Sequence, residues 1–375
     1  MFRITVLILA LIGAGSANAQ KIDSSQGTLA VMPIVEGLRT PWGFGFLPDG
    51  KIIITERGGR ILLAEEGSDA IEIEGGPDVV ARGQGGLLDV MVPRDFATTR
   101  ELYFSYSKKQ ERSGFRAGAG TAVAKAVLDE GGKRIKDLST IFEIASGSSG
   151  GRHFGSRLLE AQDGTLFLTV GDRGDRPSAQ DLARENGSVV RIERDGSIPP
   201  DNPFIERADA RPGIWSFGHR NAQGMAFGLD GRLWTVEHGA RGGDEINLIE
   251  RGKNYGWPVI SYGTHYSGSK IGEGTAREGM EQPAFHWDPS IAPSGMMIYS
   301  GKLWPEWRGN FFVGSLKFHT ISRLEGDGDL QEAERLMSNE TLRVRDIREA
   351  PDGSIWFLSV GNGALYRITP TPTGR

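Results

Sequence analysis

A histidine and an aspartate carry the first chemical signal in this 375-residue chain. His153 lies in the glycine-rich run Gly150-Gly151-Arg152-His153-Phe154-Gly155-Ser156. Asp172 follows the strand-like run Thr165-Leu166-Phe167-Leu168-Thr169-Val170. Imidazole titrates near neutral pH, and a buried carboxylate fixes its tautomer, so the pair suits a general base and the group that orients it. Pairs this close in sequence are more often structural hydrogen bonds. Residue types alone leave both readings open.

A second signal is basic. Lys317 ends the strand pattern Phe311-Phe312-Val313-Gly314-Ser315, and Arg343 and Arg345 alternate around Val344. Alternation in an extended segment puts both arginines on one face. Such a face is usually solvated, yet paired arginines also suit a planar polycarboxylate. The histidines His153, His219, His238, His265, His286 and His319 show no zinc-helix spacing, and there is no cysteine, so zinc is disfavoured. His286 beside Trp287 reads as a packing residue, and Asp244-Glu245 reads as a surface acidic pair. Gly147-Ser148-Ser149-Gly150-Gly151 matches a nucleophile elbow in letters only, because no helix pattern follows it. Gly118-Ala119-Gly120 lacks the strand–helix context of a dinucleotide loop. Asn186-Gly187-Ser188 and Asn339-Glu340-Thr341 are glycosylation sequons only in a host that modifies exported proteins.

The elements that must position these groups are short strands. Leu47-Pro48-Asp49-Gly50-Lys51-Ile52-Ile53-Ile54 is a turn entering a strand, and similar units begin at Ala161, Leu229 and Ala350. Weaker versions begin at Phe96 and Trp307. Asp-Gly favours tight hairpins because the turn needs positive φ. Six units of roughly sixty residues exceed a minimal propeller blade, so long loops must be added on one face. A sandwich or β-helix is the alternative; the spacing is long for a β-helix and regular for a sandwich. The expected fold is all-β, a six-bladed β-propeller with long loops on the active-site face. Single helical turns are expected at 178–185 and 330–338. The glycine-rich, polar stretch from Tyr262 to Met280 reads as an excursion across the disc, a kind of loop that is usually functional or mobile.

Composition bounds the setting. The start Met1-Phe2-Arg3, the apolar run from Ile4 to Ile12 and the end Ala17-Asn18-Ala19 describe a signal peptide over residues 1–19. The expectation is one propeller domain over 20–375, exported to the periplasm, with a retained anchor as the alternative. The apolar run is short for a membrane span. Without cysteine, disulfides and thiolate chemistry are excluded. A net charge of -5 with no long basic block argues against nucleic acid.

Several ordered segments carry a family resemblance. They are Gly83-Gln84-Gly85-Gly86-Leu87-Leu88, the His153 run, Gly171-Asp172-Arg173-Gly174 and Gly218-His219-Arg220-Asn221-Ala222-Gln223-Gly224. Glu237-His238-Gly239-Ala240, Asp244-Glu245-Ile246-Asn247, Asn254-Tyr255-Gly256-Trp257-Pro258, Ser290-Ile291-Ala292-Pro293-Ser294-Gly295 and Arg343-Val344-Arg345-Asp346 complete the set. Over roughly residues 30 to 370 the chain resembles the soluble quinoprotein glucose/sorbosone dehydrogenases, most of all their periplasmic aldose sugar dehydrogenase branch. The resemblance implies pyrroloquinoline quinone (PQQ) and calcium as cofactors. It implies His153 as proton-abstracting base, Asp172 as its partner and Arg220 as polariser of the quinone. Lys317, Arg343 and Arg345 match the carboxylate clamp. Gln84, Asn221 and, more weakly, the loop residue Tyr266 match further cofactor contacts. Main-chain carbonyls of Gly239 and Ala240 match the site calcium, and Glu245 and Tyr255 a second calcium; oxygen-only shells are what calcium prefers. The implied partners are aldose sugars and an external electron acceptor, for a monomer or homodimer with no membrane span. Two rivals remain, a calcium-dependent propeller lactonase and a propeller that only binds sugar or peptide. Neither has use for a Lys/Arg clamp.

Overall fold

The Asp-Gly turns sit where their spacing predicts. Gly50, Gly164, Gly231 and Gly353 all adopt positive φ, and each turn feeds a strand: Ile52–Glu56, Leu166–Val170, Leu233–Glu237 and Ile355–Ser359. The two weaker units feed Glu101–Gln110 and Phe311–Ser315. Each of these strands is the second of its antiparallel sheet. The computed structural model describes residues 20–110, 118–145 and 147–371, so the expected signal peptide lies outside the described residues.

Six sheets make six blades. Their first strands are Pro41–Phe46, Leu87–Met91, Leu158–Glu160, Ala222–Phe227, Pro293–Ile298 and Val344–Glu349, and each lies beside the next until the last meets the first. That closed ring is a six-bladed β-propeller. Blade 6 joins both ends of the described chain, with Gly27–Val35 pairing Ala364–Pro370. Side chains from neighbouring blades interdigitate as one apolar wedge at every blade boundary; Phe44, Ile54 and Leu358, for example, seal blade 1 to blade 6. Among the described residues no helix is long and apolar enough to cross a membrane.

Two local expectations change. Residues 330–338 form no helical turn but the strand Gln331–Leu336, the last of blade 5. Alternation explains it: Glu332, Glu334 and Leu336 face inward, where Ser322 donates to Glu332 and Arg323 to Glu334 at 2.6 Å. The turn expected at 178–185 is a 3₁₀ helix shifted to Arg176–Gln180, started by Pro177.

Antiparallel pairing also fixes the functional face. The start of each first strand lies opposite the end of the second, as in Ala222↔Glu237. Loops before the first strand and after the second therefore share one end of the disc. The candidate residues fall in those loops or in the 250–284 excursion, except Arg345, at the start of the first strand of blade 6, and Glu245, at the start of the third strand of blade 4.

Candidate active site

His153 sits in the loop before the first strand of blade 3 at φ 55, inside a tightly strapped turn. Gln84 accepts from its backbone N–H at 2.6 Å, and Asn221 accepts from Gly155 N–H at 3.0 Å. The fully buried Arg173 donates to the carbonyls of Arg152 and Gly150, the latter at 2.8 Å, and its guanidinium carbon lies over the Phe154 ring, 3.3 Å from the ring centre. Gly171 lets the strand end pass beneath: a Cβ there would stand 2.2 Å from the His153 carbonyl oxygen. The glycines in the sequence motif serve this close approach.

The imidazole Nδ1 lies 2.7 Å from Asp172 Oδ1, and 12% of the His153 side chain reaches solvent. Asp172 is fully buried and also accepts from Gly174 N–H at 2.7 Å and Trp257 Nε1–H at 2.9 Å. These donors favour its ionised form over the opposing effect of burial and hold it below the usual carboxylate range. With Asp172 ionised, the proton of a neutral His153 belongs on Nδ1, which leaves the Nε2 lone pair free. Burial first, then the nearby Arg220, keeps the imidazole below its ordinary value despite the Asp172 bond. His153 is therefore a neutral, oriented base at neutral pH.

Arg220 enters from the loop before blade 4. Its N–H donates to Glu237 at 2.7 Å, its carbonyl accepts from Asp172 N–H at 2.9 Å, and its guanidinium donates to the His238 carbonyl at 3.2 Å. It lies 5.4 Å from the Trp257 ring centre, and its buried Nε has no partner among the described residues. Glu237 is held in turn by His219 at 2.8 Å, whose other nitrogen meets Ser216 Oγ at 3.0 Å. Ser216, His219 and Glu237 thus mimic a hydrolytic triad. Ser216 and His219 have no exposed surface, so the set positions Arg220 and attacks nothing.

Across the axis, Arg345 donates to Gln223 at 2.7 Å and has no carboxylate partner among the described residues. Burial and the charges of Arg157, Arg343 and Arg57 push it down to about 9, still protonated at neutral pH. The shared strand face read from the Arg343–Arg345 alternation does not hold. Arg343 precedes the strand at φ 53, exposed and donating to the Leu316 carbonyl, while Arg345 lies at a register shift within it. Lys317 is exposed, its Nζ 4.8 Å from the Phe318 ring centre. Tyr266 is 74% exposed at the tip of the excursion and close enough to influence Arg220. His286 stacks on Tyr262 at 4.0 Å, a packing role.

Gly239 and Ala240 follow the second strand of blade 4 in a tight turn whose Gly239 N–H donates to Asp244 at 2.8 Å. Asp244 also accepts from Ser290 and Ala292, so it is no free surface acid. Glu245, Glu237, Gly239 and Tyr255 line one small polar cavity. Burial, then the neighbouring Glu237 charge, raises the Glu245 carboxyl. The Tyr255 hydroxyl is engaged by the Leu248 carbonyl and Glu250 N–H, which leaves its carbonyl as the ligand it can offer. Among the described residues no three His, Cys, Asp or Glu side chains converge to hold a metal.

Sequence reasoning assigned no role to Glu237, Arg173 or Trp257. All three lay within quoted motifs, but their partners in the site are 17 to 85 positions away in sequence.

This is a propeller whose one end holds an oriented imidazole together with the guanidiniums of Arg220 and Arg345, which make no ion pair among the described residues. Residues 38–367 match the Glucose / Sorbosone dehydrogenase family model, and the chain belongs to that family. Aldose sugar dehydrogenase of Escherichia coli is 40% identical over 99% of this chain and 100% of its own. Its apo crystal structure superposes with a TM-score of 0.87, covering 92% of this chain and 100% of that one. Quinoprotein glucose dehydrogenase B of Acinetobacter calcoaceticus is 30% identical over 76% of this chain and 63% of its own length. A crystal structure of a glucose dehydrogenase gives a TM-score of 0.88 at 38% identity, covering 91% of this chain and all of the other.

Proposed function

We propose that this protein is a PQQ- and calcium-dependent aldose sugar dehydrogenase that oxidises the anomeric carbon to an aldonolactone and passes the electrons to an external acceptor. The observation that supports the reading is the orientation of His153 by Asp172, which leaves Nε2 without a partner among the described residues, opposite Arg220 and Arg345, which make no ion pair among those residues. Membership of the family and the names of its relatives supply the reaction class.

The residues fit the quinone. Arg345, crowded by like charge, and Arg220, with an orphaned buried Nε, want anionic or carbonyl oxygens. Arg343 and Lys317 extend that positive rim. The side-chain oxygens of Gln84 and Asn221 brace the His153 turn, and their amide N–H groups would contact the quinone. Tyr266 would close over the group from the excursion. The carbonyls of Gly239 and Ala240 would hold the site calcium, and Glu245 with the Tyr255 carbonyl a second ion; two carboxylates, Glu245 and Glu237, lining one cavity suit a cation.

PQQ, when bound, would supply the two-electron acceptor that takes the hydride, and calcium would offset the negative charge it gains. The protein does the rest. His153 Nε2 takes the proton of the anomeric hydroxyl as the carbon–oxygen double bond forms and hydride leaves that carbon. Asp172 stabilises the imidazolium. Arg220 adds fixed positive charge where negative charge develops, without reorganising. A signal peptide over residues 1–19 would deliver the enzyme to the periplasm.

The test starts from cofactor-free protein. Adding PQQ with calcium should restore reduction of an artificial dye by a panel of aldoses, and nicotinamide cofactors should have no effect. Activity that survives chelation and quinone removal, or that NAD alone supports, overturns the proposal.

A further inference from the structure

Trp257 joins both working parts of the site. The segment before it runs parallel beside the outer strand of blade 3: Phe217 N–H donates to the Lys253 carbonyl at 3.1 Å, and Tyr255 N–H to the Phe217 carbonyl at 2.8 Å. Trp257 N–H then donates to the Gly218 carbonyl at 2.9 Å, and Gln180 donates to the Trp257 carbonyl at 2.8 Å. A side chain so anchored cannot drift. Its buried indole places Nε1–H 2.9 Å from Asp172 Oδ2, the oxygen that His153 does not use. Its ring lies 5.4 Å from both the Arg220 and the Arg176 guanidinium carbons.

We infer that Trp257 is a positioning residue that sets the proton affinity and orientation of the His153–Asp172 pair while seating Arg220 against its ring. A carboxylate rotating about its bond could offer either oxygen to His153. Donation from the indole to Oδ2 fixes that rotation, so Oδ1 meets Nδ1 and Nε2 faces the site. It also draws charge from the carboxylate, which weakens the pull of Asp172 on a proton at His153. The base is thereby kept neutral in a field that contains Arg152 on its own turn, Asp172 and Arg173 after the strand, Arg220, His238 and, beyond the indole, Arg176. A packing residue would do none of this.

The N–H can be removed without the ring. Replacing Trp257 by β-(3-benzothienyl)alanine puts sulfur where the N–H was at nearly constant shape, and Trp257→Phe is the genetically simple version. In cofactor-free protein, the His153 imidazole titration read by NMR should move to higher pH in both. The kinetic arm rests on the proposed function. There the acid limb of quinone reduction by sugar should move the same way, with kcat down about tenfold to a hundredfold. In an Asp172→Asn background the benzothienyl change should add little, because the acceptor of the N–H is altered. An unmoved His153 titration in the benzothienyl protein overturns the inference. A moved titration in a protein whose unsubstituted form oxidises no aldose sustains the inference and removes the proposed function alone.

Discussion

His153 and Arg345 illustrate how two residues in one site are charged by opposite logic. His153 is kept neutral by burial, with its acid form opposed by Arg220. Arg345 is kept cationic in a place that works against its charge. His153→Ala should therefore leave the fold and quinone affinity nearly intact while single-turnover quinone reduction falls by about two to four decades, the usual worth of a positioned base. The sign of the pH effect follows from the depressed value. The active form is the neutral one, so wild-type rate is lost as pH falls, on a limb below the ordinary imidazole value of about 6.5. Asp172 raises His153, so Asp172→Asn should move that limb lower still while reducing the rate. A limb that moves upward would contradict the assignment. Arg345→Leu tests the other half. It should cost roughly 1.5–3 kcal/mol of quinone binding, or one to two decades in affinity, for loss of a charge-assisted contact. The cofactor-free variant should melt no lower than the parent, since like-charge crowding is relieved. Unchanged affinity by titration would return Arg345 to a merely structural place.

At the scale of elements, the strands were legible and their cross-links were not. Asp-Gly turns announce hairpins because positive φ at glycine is a local requirement, and the four units that carry one, with the two weaker units, foretold the second strand of every blade. Residues 330–338 misled because their inward face is charged and reads as an exposed helix until the partners Ser322 and Arg323 are known. The Asp172–Trp257 bond spans 85 positions and the Gln84–His153 bond 69, distances at which no spacing rule operates. The Arg343–Arg345 pattern failed for a local reason, a left-handed residue just ahead of the strand. The glycine-rich motif, by contrast, has a physical reading that can be tested. Gly171→Ala places a Cβ against the His153 carbonyl, and the turn must shift. Overpacking of this kind costs roughly 1–3 kcal/mol. Thermal unfolding should show that loss, and the activity that remains should be lower because the base is displaced. A variant with full activity and unchanged melting would mean that the strand end and turn are loosely coupled.

The whole molecule is tied at its axis by charge. Asp89 from blade 2 meets Arg157 from blade 3 at 3.1 Å and Arg348 from blade 6 at 2.7 Å. Asp346, also from blade 6, meets Arg157 at 2.9 Å and Arg348 at 3.0 Å. Arg157 reaches the Gln223 carbonyl of blade 4 at 3.0 Å, and Asp89 accepts from Leu158 N–H at 2.9 Å. Blades 1 and 5 give way: a Cβ on Gly43 would stand 2.7 Å from Asp89 Oδ1, and one on Gly295 2.5 Å from Asp346 Oδ1. All six blades thus meet at one plug of buried charges, near the floor of the site where Arg157 bears on Arg345. An apolar axis of equal volume could be as stable, since desolvation offsets much of the attraction in buried pairs. Removal of a single partner is different, because it leaves the others buried and uncompensated. Asp89→Ala leaves Arg157 and Arg348 to share Asp346 alone, an excess of buried positive charge, and strands the Leu158 N–H, so it should cost about 3–5 kcal/mol in denaturant unfolding. The loss should persist at high salt, because buried charges are poorly screened. Asp209→Ala, which removes an exposed partner of Arg207, is the control and should leave stability nearly unchanged. If the two variants unfold at the same denaturant concentration, the charged axis contributes no more than a surface pair, and the apolar wedges between the blades close the ring unaided.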